Sequence, residues 1–157
     1  MAEPVYNVLF LSRRNAARGI FAEAVVNQKG GGRFRAFSAG DEPGRGMDPV
    51  VLDILKLSGY QTEGLHPKHW KEFTGPNAIP MDFVFKLSDH VQSKDTPHWP
   101  EQAETADWRY PDPVEFTSCE EWERRKALSE ILLALERQFS VFSQLPDDAL
   151  KEKSLRA

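Results

Sequence analysis

The residues best equipped for chemistry are Ser12 and Arg18, with Arg13, Arg14, Asn15, Ala16 and Ala17 between them. A short loop of this kind, feeding a helix, turns its backbone N–H groups toward a tetrahedral oxyanion. Arg18 adds a planar fork that stays charged at any physiological pH. Cations at a helix start are unfavourable unless an anion answers them, because the helix dipole is positive there. The segment Ser12, Arg13, Arg14, Asn15, Ala16, Ala17, Arg18 therefore reads as an oxyanion-binding loop. The four histidines, His66, His69, His90 and His98, are too loosely spaced for a zinc site, so no metal is assigned. Lys86 interrupts an apolar run, where it either snorkels at a strand end or adds positive potential to a crevice.

The elements that must hold this loop are legible on both sides of it. Val5 to Leu11 is an apolar run broken by Asn7, which predicts a strand. Ile20, Phe21, Ala24 and Val25 fall on one face of a helix predicted over 16–28, stopped by Gly30, Gly31 and Gly32. A second strand is predicted over 33–38, with a loop from Ala39 to Gly44. Asp48 and Pro49 are an N-cap and a first-turn proline, and Val51, Leu52, Ile54, Leu55 and Ser58 give that helix its face until Gly59. Pro67 to Phe73 predicts one or two helical turns, and 82–87 a third strand. Ser88 to Trp108 is irregular, with a short fourth strand predicted over 106–110. Pro111-Asp112-Pro113 is an exposed loop. Thr117 and Ser118, each three residues before a glutamate, predict a capping box. Trp122, Leu128, Ile131, Leu132, Leu135, Phe139 and Phe142 predict a long amphipathic helix, followed by a charged tail over 146–157. Strands alternating with helices predict an α/β fold: a three-layer, four-stranded parallel sheet with helices on both faces. Ligands in such sheets bind beyond the carboxyl ends of the strands, where the Ser12–Arg18 loop lies.

The 157 residues predict a single domain, and the net charge of −4 argues against nucleic-acid or anionic-membrane partners. No apolar run reaches the ~20 residues of a membrane span, and the N-terminal residues lack the pattern of a signal peptide. The single cysteine, Cys119, excludes an internal disulfide and predicts a cytoplasmic location.

The stretch from Val8 to Ala24 resembles the low-molecular-weight protein tyrosine phosphatases and the thioredoxin-coupled arsenate reductases that share their fold. Their loop has the form Cys-x5-Arg, between an apolar strand and a helix carrying Ala-Glu-Ala. Phe37-Ser38-Ala39-Gly40, the run from Asp82 to Asp89, and Trp108-Arg109-Tyr110-Pro111-Asp112-Pro113 resemble three further segments, in the same order. The resemblance implies the phosphatase fold, no cofactor, and phosphate, arsenate or another oxyanion as ligand, with a phosphorylated protein as a candidate partner. It implies Ser12, Arg18 and Asp112 as positional equivalents of the nucleophile, the oxyanion-binding arginine and the general acid.

This chain departs from that pattern where bonds are broken. Ser12 stands at the nucleophile position, and an alcohol is not ionised by a field that suffices for a thiol. Gly19 removes the hydroxyl that usually follows the arginine, and Arg14 stands where a glycine is usual. Ser88 and Thr96 lie roughly where the reductases carry their relay cysteines. The expectation is a degenerate site that binds oxyanions with little or no turnover, a pseudoenzyme. The alternatives are an active phosphatase or reductase whose cysteine was replaced, and a regulatory interaction module using the inherited fold.

Overall fold

The computed structural model describes residues 5–12, 17–40, 48–73, 78–87, 104–107 and 120–144, the four residues 104–107 by their backbone. Arg13, Arg14, Asn15, Ala16, the segment around Ser88 and Thr96, His90, His98, Trp108 to Tyr110, Asp112, Cys119 and the tail 146–157 lie outside the described residues.

Four parallel strands form one sheet in the order β2-β1-β3-β4: β1 Tyr6–Ser12, β2 Phe34–Gly40, β3 Phe83–Lys86 and β4 Glu104–Asp107. β1 is central and buried along nearly its whole length, as an apolar strand covered on both faces must be. Its alternation divides the core. Val8 and Phe10 face a cluster with α1 (Arg18–Lys29), α2 (Pro49–Leu57) and α3 (Glu121–Ser143). Leu9 and Leu11 face a second cluster with Ala39, Trp70, Met81 and Val84. Among the described residues, that second face is met by the 3-10 turn Trp70–Phe73.

Local chemistry explains the ends of these elements. α1 stops because Gly31 and Gly32 take φ of 62° and 81°, which a side chain resists. Asp48 caps α2 by accepting from Val50 N at 2.9 Å, with Pro49 in the first turn. α3 is fixed to the sheet by aromatic edges: Phe142 meets Phe83 and Phe85 nearly perpendicular, at centroid distances of 5.3 and 5.4 Å.

Three boundaries differ from the sequence expectation. β2 continues through Ala39 to Gly40, because Gly40 pairs with Ser12 on one side and its N–H donates to Lys68 O at 2.9 Å on the other. The fourth strand includes Glu104–Asp107, in register with Phe83–Lys86, so it begins earlier than predicted. α3 takes Glu120 as its N-cap with no side-chain cap; Glu121 and Glu123 in its first turn suit the dipole instead. Trp122 is 66 % exposed. At 3.6 residues per turn it points about 140° away from Leu135, off the face that Leu128, Ile131, Leu132, Phe139 and Phe142 share.

Candidate functional site

β2 leaves one side of β1 and β3 the other, so the chain reverses its direction of winding at β1. A crevice opens at such a switch point, beyond the carboxyl ends of the strands. Register puts Ser12, Gly40 and Lys86 at that end. Gly40 also bridges to His69, which extends the rim by one more chain segment.

Ser12 is the last residue of β1 and is 1 % exposed. Its Oγ has no hydrogen-bond partner among the described residues. Most buried hydroxyls are satisfied, and an orphan costs about 1–3 kcal/mol. Arg18 opens α1 and is 3 % exposed. Ala17, before it, supplies no side-chain cap, and the first turn holds no acidic residue. The first N–H groups of any helix lack intrahelical acceptors. A buried cation, a buried hydroxyl and an uncapped helix start thus flank the loop. Of the residues expected to form it, the described ones are Ser12, Ala17 and Arg18.

A second polar group lies on the same layer, between α1 and the sheet. Ser38 Oγ donates to Glu23 Oε1 at 2.8 Å, and Lys68 Nζ stands 3.5 Å from the same oxygen. Lys68 Nζ also donates to Ser38 O at 3.2 Å and to His66 O at 2.9 Å. Glu23, Ser38 and Lys68 formed no motif in the sequence. Their signal was one carboxylate among the apolar residues that follow Arg18 in α1.

The remaining candidates do less. His69 Nδ1 accepts from Lys71 N and His66 Nδ1 sits 3.0 Å from Gly64 O. No cluster of three or more metal-ligating side chains occurs among the described residues. A surface cleft of about 370 Å³ is lined by Glu23, Asn27, Gln28, Gln61, Glu63 and Leu65. The Asn27 and Gln28 carboxamides are engaged there with backbone groups of Ala36, Gly59 and Gln61. Lys86 is half-buried at the end of β3, consistent with snorkelling. No helix among the described residues is long and apolar enough to cross a membrane.

Solved structures share this architecture at low sequence identity. The thioredoxin-dependent arsenate reductase Cg_ArsC1' of Corynebacterium glutamicum aligns with a TM-score of 0.62 and 23 % identity, over 90 % of this chain and 63 % of that one. An arsenate reductase in the phosphate binding state gives 0.61 and 22 %, over 85 % and 98 %. The low molecular weight protein tyrosine phosphatase from T. tengcongensis gives 0.62 and 18 %, over 87 % and 99 %. No curated protein matches the sequence. These likenesses establish the fold that the sheet order and the loop position had already defined. The family described as low molecular weight phosphotyrosine protein phosphatase matches residues 7–154, from the first strand past the last helix, and the chain belongs to that family.

Proposed function

We propose that this chain binds a phosphate-type oxyanion, free or on a phosphorylated protein, in the Ser12–Arg18 loop and turns it over little or not at all. The observation that carries the reading is the buried, unpartnered Ser12 hydroxyl beside a loop that ends in buried Arg18. An anion accepts the hydroxyl proton, answers the guanidinium and receives the N–H groups of the α1 first turn. One ligand engages all three groups.

Turnover is a separate requirement. The family mechanism uses a thiolate, whereas an alcohol needs a base or a metal to become a nucleophile. The loop segment from Ser12 to Arg18 carries no histidine in the sequence to serve as that base. Asp112 keeps the sequence position of a general acid, with Arg18 as the surviving binding residue and Ser12 as an inert stand-in. In this reading residues 1–157 act as one domain, without cofactor, in the cytoplasm, where a lone cysteine is stable.

Thermal melting with phosphate, sulfate, arsenate and vanadate, on this chain and on Arg18→Ala, tests the reading. A rise of several degrees that disappears in the variant is expected. Unchanged melting in every anion would sink it and leave the interaction-module reading.

A further inference from the structure

We infer that Glu23 is the counter-charge that sets the oxyanion affinity of the loop, acting by neutralising Lys68 in the polar layer under the site. The inference rests on the oxyanion-binding reading and adds residues outside the Ser12–Arg18 loop to it. Glu23 lies on α1 five residues beyond Arg18, about 7.5 Å along the helix axis. Ser38, which it holds, lies two residues before Gly40, the register partner of Ser12, about 7 Å along the strand. The Glu23 and Lys68 side chains are 13 % and 10 % exposed, so water screens them weakly.

A structural tether alone needs no charge here. Ser38 needs only an acceptor, and Lys68 already has two backbone carbonyls. The carboxylate's distinct effect is electrostatic. It cancels a cation that otherwise adds to Arg18 in attracting an anion. Two unit charges about 10 Å apart, at an effective dielectric of about 20, change a binding constant on the order of tenfold.

The test is calorimetric titration with inorganic phosphate at pH 7 and low ionic strength, since the Debye length is about 10 Å at 0.1 M salt. Glu23→Gln, which preserves the acceptor for Ser38, is expected to bind phosphate about tenfold more tightly. Lys68→Met is expected to bind it about tenfold more weakly, and the double variant to return near the parent. Circular dichroism melting of each variant without phosphate confirms that it is folded. A folded Glu23→Gln that binds phosphate equally or more weakly overturns the inference. Arg18→Ala separates the two levels. If the parent binds no phosphate, or Arg18→Ala binds it undiminished, the underlying reading fails and the inference falls with it.

Discussion

Replacing Ser12 by alanine should stabilise the anion-free protein and weaken its response to anions. The hydroxyl is 1 % exposed and has no hydrogen-bond partner among the described residues, so the anion-free protein carries the desolvation cost of a polar group without a hydrogen bond. That cost is about 1–3 kcal/mol, and alanine removes it while preserving the strand backbone. The packing loss is one oxygen atom, which offsets only part of the gain. A net gain of about 1–2 kcal/mol raises the midpoint by about 2–8 °C in a domain of this size. Phosphate narrows the gap. A ligand at a hundred times its Kd stabilises the parent by about 2.7 kcal/mol, and the variant lacks one donor to it.

The assay is paired thermal melting of parent and Ser12→Ala in a buffer free of oxyanions and in a phosphate series. The expected pattern is a higher midpoint for the variant without phosphate and a smaller rise with it. A variant that melts lower than the parent in oxyanion-free buffer refutes the reasoning. Ser12 would then be a satisfied structural hydroxyl, and the strongest support for an anion at this position would be lost.

Other consequences follow from the same geometry. Ser12→Cys should hydrolyse an aryl phosphate no faster than the parent, because Gly19 supplies no hydroxyl to the restored thiolate; a large rise in turnover would favour an enzyme with a simple replacement. Phe142→Ala should cost about 3–5 kcal/mol in chemical denaturation, since its ring edges meet Phe83 and Phe85; a cost below 1 kcal/mol would mean that the helix–sheet seam is held elsewhere. Burial and its hydrogen bond to Glu136 push the Tyr60 phenol up to about 12. The folded state therefore favours the protonated phenol, and this stability is complete below pH 10 and is lost as pH rises toward 12. Tyr60→Phe should flatten that alkaline decline without abolishing it, because Lys29, raised chiefly by its hydrogen bond to Glu136, contributes a loss in the same direction. An unchanged alkaline slope in stability against pH would refute the assignment.

The strands and helices were legible because each carries its own periodicity. Val8 and Phe10 against Leu9 and Leu11 divide the core as period-two alternation demands. Asp48 with Pro49, and the glycines after Lys29, mark boundaries by local chemistry that needs no tertiary partner. What failed depended on partners far along the chain or on a helix angle that hydrophobicity alone does not report. β2 reaches Gly40 because residue 68 returns to its outer edge, and no local signal reports that return. Trp122 entered the apolar face of α3 on hydrophobicity alone, although its angle excluded it. Glu23 illustrates the same limit at the site. Its neighbours place it on a helix, but its oxygen meets Ser38, 15 residues away, and Lys68, 45 away, only when β2 and the rim segment are assembled.

In the proposed reading, that assembly lets binding outlast catalysis. The proposed oxyanion site is built on the switch point itself: the end of β1 and the start of α1, with the polar layer of Glu23, Ser38 and Lys68 beside them. Ser12 and Arg18 are buried with the core, so the groups that would hold an anion are fixed by the same packing that holds the sheet. A nucleophile is different. In that reading Ser12 holds the nucleophile's strand position without a thiolate, and it pairs with Gly40 in the sheet. If this is correct, phosphate should slow amide exchange at the end of β1 and the first turn of α1 more than in the middle of α3. Uniform protection, or none, would mean that the anion does not bind where the buried charge is.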